Sequence, residues 1–155
     1  MKKRPFLMGA LLAVGMLQGC ASGGRGVESS AIPKGWPVAY DVARISSTFG
    51  EHRGSSRHKG LDLTAPKGTK VRTTADGRVI FAARSGDFGR LVVVEHEGGY
   101  ETRYAHLKSI DVKKGRKLKR GAVIGTVGES GNATGPHLHY EVRLQGTAVN
   151  PRSYL

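Results

Sequence analysis

Four of the six histidines in this 155-residue chain stand in contexts that suit metal or acid–base chemistry. His58 and Asp62 lie four residues apart, and a glycine between them allows a turn. His137 and His139 lie two residues apart, and side chains with that spacing on a strand point to the same face of a sheet. His106 stands at the end of a predicted strand. We therefore expect these side chains to be able to converge on one point.

Two histidines and one carboxylate form a ligand set that zinc hydrolases use, with a fourth position left for water. Zinc lowers the pKa of a bound water to roughly 7, and a further neutral imidazole can take its proton and later protonate a leaving amine. Strand geometry alone leaves open which of His137 and His139 would bind the metal. His52 and His96 have no comparable context, and we predict that both are structural.

Short β-branched runs punctuated by glycine predict the elements that must position these residues. Glycine occurs 23 times along the chain, which favours many turns, and no segment is apolar at helical spacing over a useful length. The Asp76-Gly77 pair predicts a hairpin turn. We predict a mainly β fold, a compact antiparallel sheet domain with connecting loops. The predicted strands are 71–74, 79–83, 91–96, 100–107, 122–127 and 138–144.

The N-terminal residues predict an exported, lipid-anchored protein. Three basic residues precede an apolar stretch at 6–17, which fits a signal sequence and is short for a membrane span. Residues 17–20, Leu-Gln-Gly-Cys, resemble a lipobox, which would make residues 1–19 a signal peptide and Cys20 the lipidation site. Ala21 follows Cys20. In Gram-negative lipoproteins a residue other than aspartate at this position resembles the sorting signal for the outer membrane, so we expect the protein to be anchored there and to face the periplasm. Ordinary cleavage, leaving a soluble secreted protein with a free thiol, is the alternative.

Composition divides the rest of the chain and limits its partners. Residues 20–35 are rich in glycine and serine and predict a flexible tether, so the folded domain is predicted at 36–155. The formal charge is +13, and loss of three signal-peptide cations leaves 13 − 3 = +10. This charge suits an anionic partner or simply solubility. The basic run at 113–120 is either a solvated hairpin with Leu118 inward or a patch facing an anionic wall or membrane.

Several segments in order resemble the lysostaphin-type (LytM-type) zinc metallopeptidases, which cleave peptide cross-links in bacterial cell walls. The resemblance runs from Trp36 to the C-terminus and includes the His-x-His motif in GNATGPHLHYEVR. It implies the lysostaphin/LytM-like metallopeptidase fold. The segments that carry it are 45–50 (ISSTFG), 58–63 (HKGLDL), 75–79 (ADGRV), 104–107 (YAHL), 128–143 and 149–151 (VNP).

Carried over by position, the resemblance implies a role for each residue of the site. His58, Asp62 and His139 would hold one zinc ion per domain. His106 and His137 would be the catalytic imidazoles, one activating water and the other steadying the oxyanion or tuning the base. The resemblance does not decide which of the two is the base.

One position departs from the family pattern. Some relatives carry a tyrosine upstream of the first ligand to stabilise developing charge, and this chain has none between Phe49 and His58. His52, Arg53 and Arg57 are the candidates to replace it, and the role stays unassigned. Two more expectations concern the groove: Asn132 and Thr134 either border it or are ordinary loop residues, and Arg143 is a surface or salt-bridge residue. The sequence does not favour either role for Asn132 and Thr134.

These observations support three hypotheses of different classes. The first is a metalloendopeptidase acting on peptidoglycan cross-links, anchored to the membrane through Cys20. The second is a non-enzymatic lipoprotein that activates cell-wall amidases, with division or elongation proteins as further candidate partners. The third is a basic wall-binding module with a structural zinc, although structural sites usually use four protein ligands. Nucleic-acid binding is disfavoured by the export signal.

Overall fold

The computed structural model describes residues 28–155, and within that range the chain is built almost entirely from short β-strands. The described helices are three 3-10 segments, and among these residues no helix is long and apolar enough to cross a membrane. The mainly β prediction is therefore confirmed. The strands are β1 (Arg44–Ser47), β2 (His52–Arg53), β3 (Ser56–Arg57), β4 (Leu61–Thr64), β5 (Lys70–Arg72), β6 (Gly77–Ser85), β7 (Gly89–Glu95), β8 (Tyr100–Ala105), β9 (Ser109–Ile110), β10 (Lys117–Leu118), β11 (Val123–Thr126), β12 (His137–Leu144) and β13 (Thr147–Val149).

The predicted signal peptide, the predicted lipidation site at Cys20 and the first part of the predicted tether lie outside the described residues. The last part of that segment contacts the folded domain. Ala31 is buried, and the carbonyl oxygen of Ile32 accepts a hydrogen bond of 2.9 Å from the Arg120 guanidinium. Packed residues therefore begin before Trp36.

The strands form two antiparallel sheets and a separate small hairpin. The larger sheet has the order β1-β4-β12-β8-β7-β6-β10, with β13 beside β12. The smaller sheet has the order β5-β11-β9, and β2 pairs only with β3. The strand that carries the His-x-His motif thus lies inside the larger sheet, between β4 and β8.

Side chains along β12 alternate between the main hydrophobic core and the face that carries the two histidines. Leu138, Tyr140 and Val142 are fully buried in the main hydrophobic cluster. Side chains on a strand alternate between faces, so His137 and His139 point to the opposite face of the sheet. The core side chains therefore anchor the strand that presents both histidines.

The hairpin predicted at Asp76-Gly77 is wrong. β5 and β6, which flank this pair, belong to different sheets, so the chain crosses between sheets there. Asp76 accepts hydrogen bonds from the Arg120 amide and the Lys119 ammonium, both at 2.8 Å. A Cβ at Gly77 would lie 2.3 Å from the Glu95 carbonyl oxygen. The glycine is needed for close strand approach and the aspartate for binding the basic segment.

The basic segment 113–120 forms β10 and packs along the edge of the larger sheet through β6. Leu118 is buried, as the solvated alternative requires, while the lysines and arginines of the segment are exposed. The segment therefore lies at the opposite end of the strand order from β1 and β4.

Candidate metal centre

The pairing of β4 with β12 brings distant residues of the predicted site together. Asp62 lies directly opposite His139 in the antiparallel register, and His58 precedes β4. Asp62 Oδ1 lies 2.9 Å from His139 Nδ1 and 3.2 Å from His58 Nε2. The two imidazole nitrogens are 3.0 Å apart. Each of the three residues therefore directs one atom at a common point.

Gly60 permits this convergence. A Cβ at Gly60 would lie 2.6 Å from the Tyr140 carbonyl oxygen and 2.7 Å from Cε1 of His139. Both distances are well inside van der Waals contact, so any side chain at this position would push His139 out of place. The glycine between His58 and Asp62 is therefore required for close packing against β12.

The outer nitrogens of the two imidazoles determine the tautomer of each ring. His58 Nδ1 lies 2.9 Å from the carbonyl oxygen of Thr48, and His139 Nε2 lies 3.0 Å from a carboxylate oxygen of Glu141. A carbonyl or an ionised carboxylate only accepts, so both outer nitrogens carry the proton and donate. Burial lowers the pKa of His139, but its hydrogen bonds to Asp62 and Glu141 outweigh this and raise it. In the metal-free site a proton therefore lies between the inner nitrogen of His139 and Asp62 Oδ1, and a metal ion would displace it.

Three acceptor atoms this close together need a cation among them, either a proton or a metal ion. The ligand atoms of His58, Asp62 and His139 all lie within 4.8 Å of one another. The three residues are only 4%, 5% and 6% exposed, so water does little to screen their repulsion. Two imidazole nitrogens and a carboxylate oxygen are ligands of borderline transition metals. The donor set therefore fits a divalent metal ion.

Arg53 holds the second oxygen of the aspartate. Burial alone would raise the pKa of Asp62, but hydrogen bonds with His139, His58 and Arg53 outweigh it and hold that pKa far below its usual range. The Arg53 guanidinium pairs with Oδ2, while Oδ1 faces the imidazoles. Asp62 is therefore ionised, with one oxygen directed at the metal position and one at Arg53.

Arg53 is the candidate that reaches the site in the absence of the upstream tyrosine. His52 is exposed on β2, and the Arg57 guanidinium donates to the Gly50 carbonyl oxygen at 3.1 Å. Arg53 also donates to the Ser47 hydroxyl at 2.9 Å. A half-exposed cation thus stands at the mouth of the site.

His106 and His137 lie beside the three converging side chains. Their ring centroids are 4.7 Å apart, and the ring of His106 is 5.9 Å from that of His139. His137 Nε2 lies 4.0 Å from Asp62 Oδ1. The structure therefore brings all five predicted site residues together.

Backbone carbonyl groups orient both of these imidazoles. His106 Nδ1 donates to the Ser130 oxygen at 2.8 Å, and His137 Nδ1 donates to the Gly135 oxygen at 2.9 Å. In the neutral ring, Nε2 is then the atom that can accept a proton. Burial lowers the pKa of His106, and the hydrogen bond to Ser130 offsets this only in part. His106 is therefore suited to act as a neutral base.

His106 occupies a backbone conformation that few residue types adopt. Its φ is +60°, a region that costs an ordinary L-residue roughly 1–2 kcal/mol. Its amide donates to the Phe88 oxygen at 2.9 Å, and its carbonyl accepts from the Ser130 amide at 3.3 Å. Such strain persists where surrounding contacts impose it, as they do at many functional sites. The position of this ring is therefore fixed from both sides.

Glu141 is a candidate that the sequence analysis missed. It is 1% exposed, contacts His139 through one oxygen, and accepts from Arg143 Nε at 2.8 Å through the other. Burial would raise the pKa of Glu141, but its bonds to His139 and Arg143 lower it, so the carboxylate is ionised. Its position two residues after His139 on a strand was the available signal. Arg143 is a salt-bridge residue, as predicted.

Of the remaining positions considered in the sequence, one is structural, one lines a cleft beside the site, and one has neither role. His96 is buried and hydrogen-bonded to the Asp76 carbonyl oxygen and the Thr102 hydroxyl, at 2.7 and 2.8 Å, as its structural prediction requires. Thr134 lines a cleft that leads to Asp62 and His137, whereas Asn132 does not. The cleft is lined by Ser46, Ser47, Glu51, Arg53, Asp62, Thr64, Thr134, Gly135, Pro136 and His137.

Comparison with curated proteins gives relatives that are named as endopeptidases. The chain is 45% identical over 122 residues to the DD-carboxypeptidase/endopeptidase Mpg of Neisseria meningitidis serogroup B, covering 76% of this chain and 28% of that protein. It is 44% identical over 113 residues to the peptidoglycan DD-endopeptidase ShyA of Vibrio cholerae, covering 69% of this chain and 26% of that protein. The chain thus spans little more than a quarter of the length of either relative.

Solved structures and a family profile agree with these relatives. A zinc-containing peptidase from Vibrio cholerae superposes with a TM-score of 0.72 at 37% identity, over 76% of this chain and 38% of that one. The profile described as Peptidase family M23 matches residues 56–151, which include all five site residues and Glu141. The fold is that of the lysostaphin/LytM-type peptidases, as the motifs predicted. The chain therefore belongs to peptidase family M23.

Proposed function

We propose that the chain is a zinc metalloendopeptidase that hydrolyses peptide cross-links of peptidoglycan. The observation that carries this proposal is the convergence of His58 Nε2, Asp62 Oδ1 and His139 Nδ1 as three ligand atoms in a buried site. These atoms would hold one zinc ion. Three protein ligands leave a position open, which is the arrangement of catalytic rather than structural zinc.

Bound zinc would supply a Lewis acid that polarises the scissile carbonyl and makes water acidic enough to ionise near neutral pH. The residues of the chain supply proton transfer and orientation. His106 Nε2 would accept the proton of the attacking water and later donate it to the leaving amine. His137 Nε2, on the neighbouring ring, would take a proton from solvent, and the ring so charged would donate a hydrogen bond to the developing oxyanion. Arg53 would hold Asp62 in place at the cleft mouth.

The substrate is proposed from the relatives and from the predicted export of the chain. Mpg and ShyA are named as endopeptidases, and ShyA is named for peptidoglycan. The charge that remains once the signal-peptide cations are removed, 13 − 3 = +10, suits an anionic wall polymer. We further propose that the domain is exported and held at the outer membrane by lipidation at Cys20, facing the periplasm.

Hydrolysis of purified sacculi tests the function directly. The zinc-loaded chain is expected to release soluble peptides, a chelator in excess is expected to stop the release, and added zinc is expected to restore it. Mass spectrometry of the released fragments identifies the bond that is cut. Release that continues unchanged in the chelator would exclude the metal mechanism, and no release by the zinc-loaded chain would exclude the hydrolase.

The non-enzymatic amidase activator is not favoured, because the site retains the converging metal ligands and two further imidazoles. His58, Asp62 and His139 converge, and His106 and His137 keep free Nε2 atoms. A protein that only bound an amidase would have no need of this geometry. Stimulation of a purified amidase by a zinc-free chain, without peptide release by the zinc-loaded chain, would reverse this preference.

Replacement of Glu141 by glutamine is expected to weaken zinc binding about 10- to 100-fold, the usual cost of losing a partner that orients a metal-binding histidine. The carboxylate holds the Nε2 proton of His139, which leaves Nδ1 free and makes it more basic. Zinc affinity would be measured by competition with a chelator of known affinity.

Glu101→Gln is the matched control for this variant. Glu101 lies on β8 and pairs with Arg103 at 2.7 Å, and the substitution removes the same charge without contact to His139. Glu101→Gln is expected to keep the parental zinc affinity. Equal affinities of the Glu141 variant and the parental chain would show that Glu141 does not position His139.

A further inference from the structure

A cluster of four cations lines an open cleft next to the site and takes no part in the proposed chemistry. We call it the cationic cleft; its basic side chains are Lys67, Arg84, Arg90 and Lys108. Its acidic side chain is Glu129, which pairs with Lys67 at 3.2 Å. Three cations are therefore left without a neutralising partner in the lining of this cleft.

The pairing of Arg84 with Arg90 is unfavourable on its own. They lie directly opposite each other in the β6–β7 register. Like charges in that arrangement destabilise a sheet. Among residues 28–155, no carboxylate lies within ion-pairing distance of Arg84, Arg90 or Lys108. An anion bound between these side chains would relieve the repulsion.

The backbone beneath the cleft is firmly held. The Ser130 hydroxyl accepts from the Arg90 amide and donates to the Leu107 carbonyl oxygen, both at 2.8 Å. A Cβ at Gly89 would lie 2.3 Å from the Ser130 carbonyl carbon, and a Cβ at Gly131 would lie 2.3 Å from the Gly89 amide nitrogen. The two loops therefore cross in direct backbone contact, which fixes the backbone position from which the Arg90 side chain extends.

Ser130 connects the cationic cleft to the site. Its carbonyl oxygen orients His106, while its hydroxyl accepts from the backbone amide of Arg90. The residue thus forms a shared wall, with the catalytic imidazole on one side and the cleft on the other. One polymer strand could therefore place a cross-link in the metal site and an anionic group in the cationic cleft at the same time.

We propose that the cationic cleft binds an anionic oxygen group of the cell-wall polymer, a carboxylate or a phosphate, while a neighbouring cross-link occupies the metal site. This inference rests on the proposed function for its choice of polymer. Arginine guanidinium groups bind both anions through paired hydrogen bonds, and lysine adds a point charge. The cleft would hold the strand in register and contribute to binding, not to the chemical step.

Binding to purified sacculi tests the inference separately from hydrolysis. The full chain would carry His106→Asn throughout to block turnover, and the bound fraction would be measured by cosedimentation at low salt. Arg84→Gln with Lys108→Gln is expected to weaken binding at least about tenfold, because hydrogen bonds to charged groups are lost. The difference is expected to shrink at high salt, since these side chains are solvent-accessible.

A matched control and a second variant keep this test decisive. Lys113→Gln with Lys114→Gln removes the same charge from exposed residues of the basic segment and is expected to bind within about twofold of the parental chain. Equal binding by the two double variants would overturn the proposal. Should the cleft variant melt at a lower temperature, Arg84→Gln alone provides the same comparison, because Arg84 is exposed.

Two treatments of the sacculi identify the anion. Carbodiimide amidation neutralises carboxylates, and hydrofluoric acid removes phosphodiester-linked polymers. If amidation abolishes the difference between the two double variants, the ligand is a carboxylate. If the acid abolishes it, the ligand is a phosphate. A difference that survives both treatments would overturn the proposal. Binding that depends on the cleft without any peptide release by the His106-containing chain would support the cleft and reject the hydrolase.

Discussion

Replacement of His139 by alanine is expected to remove bound zinc and to lower the hydrolysis of cross-linked peptidoglycan by a factor on the order of 10³ or more. Metal ions stabilise such transition states by several kcal/mol, and each 1.4 kcal/mol or so is tenfold in rate. His139 Nδ1 lies within 3.0 Å of both other ligand atoms, so its loss leaves two of three ligands. Zinc content would be measured by elemental analysis of the purified chain, and activity by peptide release from sacculi.

His96→Ala is the matched control for the His139 variant. His96 is buried to a similar degree, at 4% against 6% exposed, and it makes two hydrogen bonds outside the site. Its loss is expected to lower the melting temperature while the folded chain keeps one zinc ion. Zinc loss from both variants would indicate general destabilisation. Full zinc content in the His139 variant would show that His139 is not a ligand. Full hydrolysis by that variant would show that zinc bound through His139 is not needed for the reaction.

The strand that carries the His-x-His motif shows what sequence can predict about this site. The period of two places His137 and His139 on one face without any knowledge of the fold, and the structure confirms it. The choice between them depends on register with β4, where Asp62 faces His139 and Thr64 faces His137. Register between strands more than seventy residues apart is a non-local property, and the spacing within one strand does not contain it.

Glu141 and Arg53 show two different reasons for incomplete prediction. Glu141 continues the alternation of His137 and His139, so the signal was present and a carboxylate partner for a metal-binding imidazole is expected on physical grounds. Arg53 reaches Asp62 from the β2–β3 hairpin and lines the cleft. The conformation of that loop depends on contacts with Ser47 and Asp62, which sequence order does not reveal.

The Asp76-Gly77 pair shows how a correct residue preference can lead to a wrong element. Both residues favour turns, and the strands on either side were predicted from sound β-branched patterns. The tertiary structure uses them differently: Asp76 binds Lys119 and Arg120, and Gly77 allows β6 to approach Glu95. Local preference identifies a place where the chain bends, but the partners of each strand are decided by packing of the two sheets.

Replacement of His106 by asparagine is expected to leave one zinc ion bound and to lower turnover by about 10²- to 10⁴-fold, the usual contribution of a positioned general base. His106 is not part of the converging ligand set, so the metal position is untouched. Asparagine is chosen because it tolerates a φ of +60° better than alanine does, so the backbone contacts to Phe88 and Ser130 can persist. The amide side chain can still form hydrogen bonds but does not accept the proton of water.

His137→Asn is the comparison that assigns the two imidazoles. If His106 is the base, its variant is expected to lose turnover with KM almost unchanged and to lose the acidic limb of the pH–rate profile. The His137 variant is expected to lose less turnover and to keep that limb, because its ring would stabilise charge without taking the first proton. Zinc loss from the His106 variant would show that the ligand set is wrong. If instead the His137 variant lost the acidic limb and the His106 variant kept it, His137 would be the base and His106 would stabilise the oxyanion. The proposed metal centre would be unaffected.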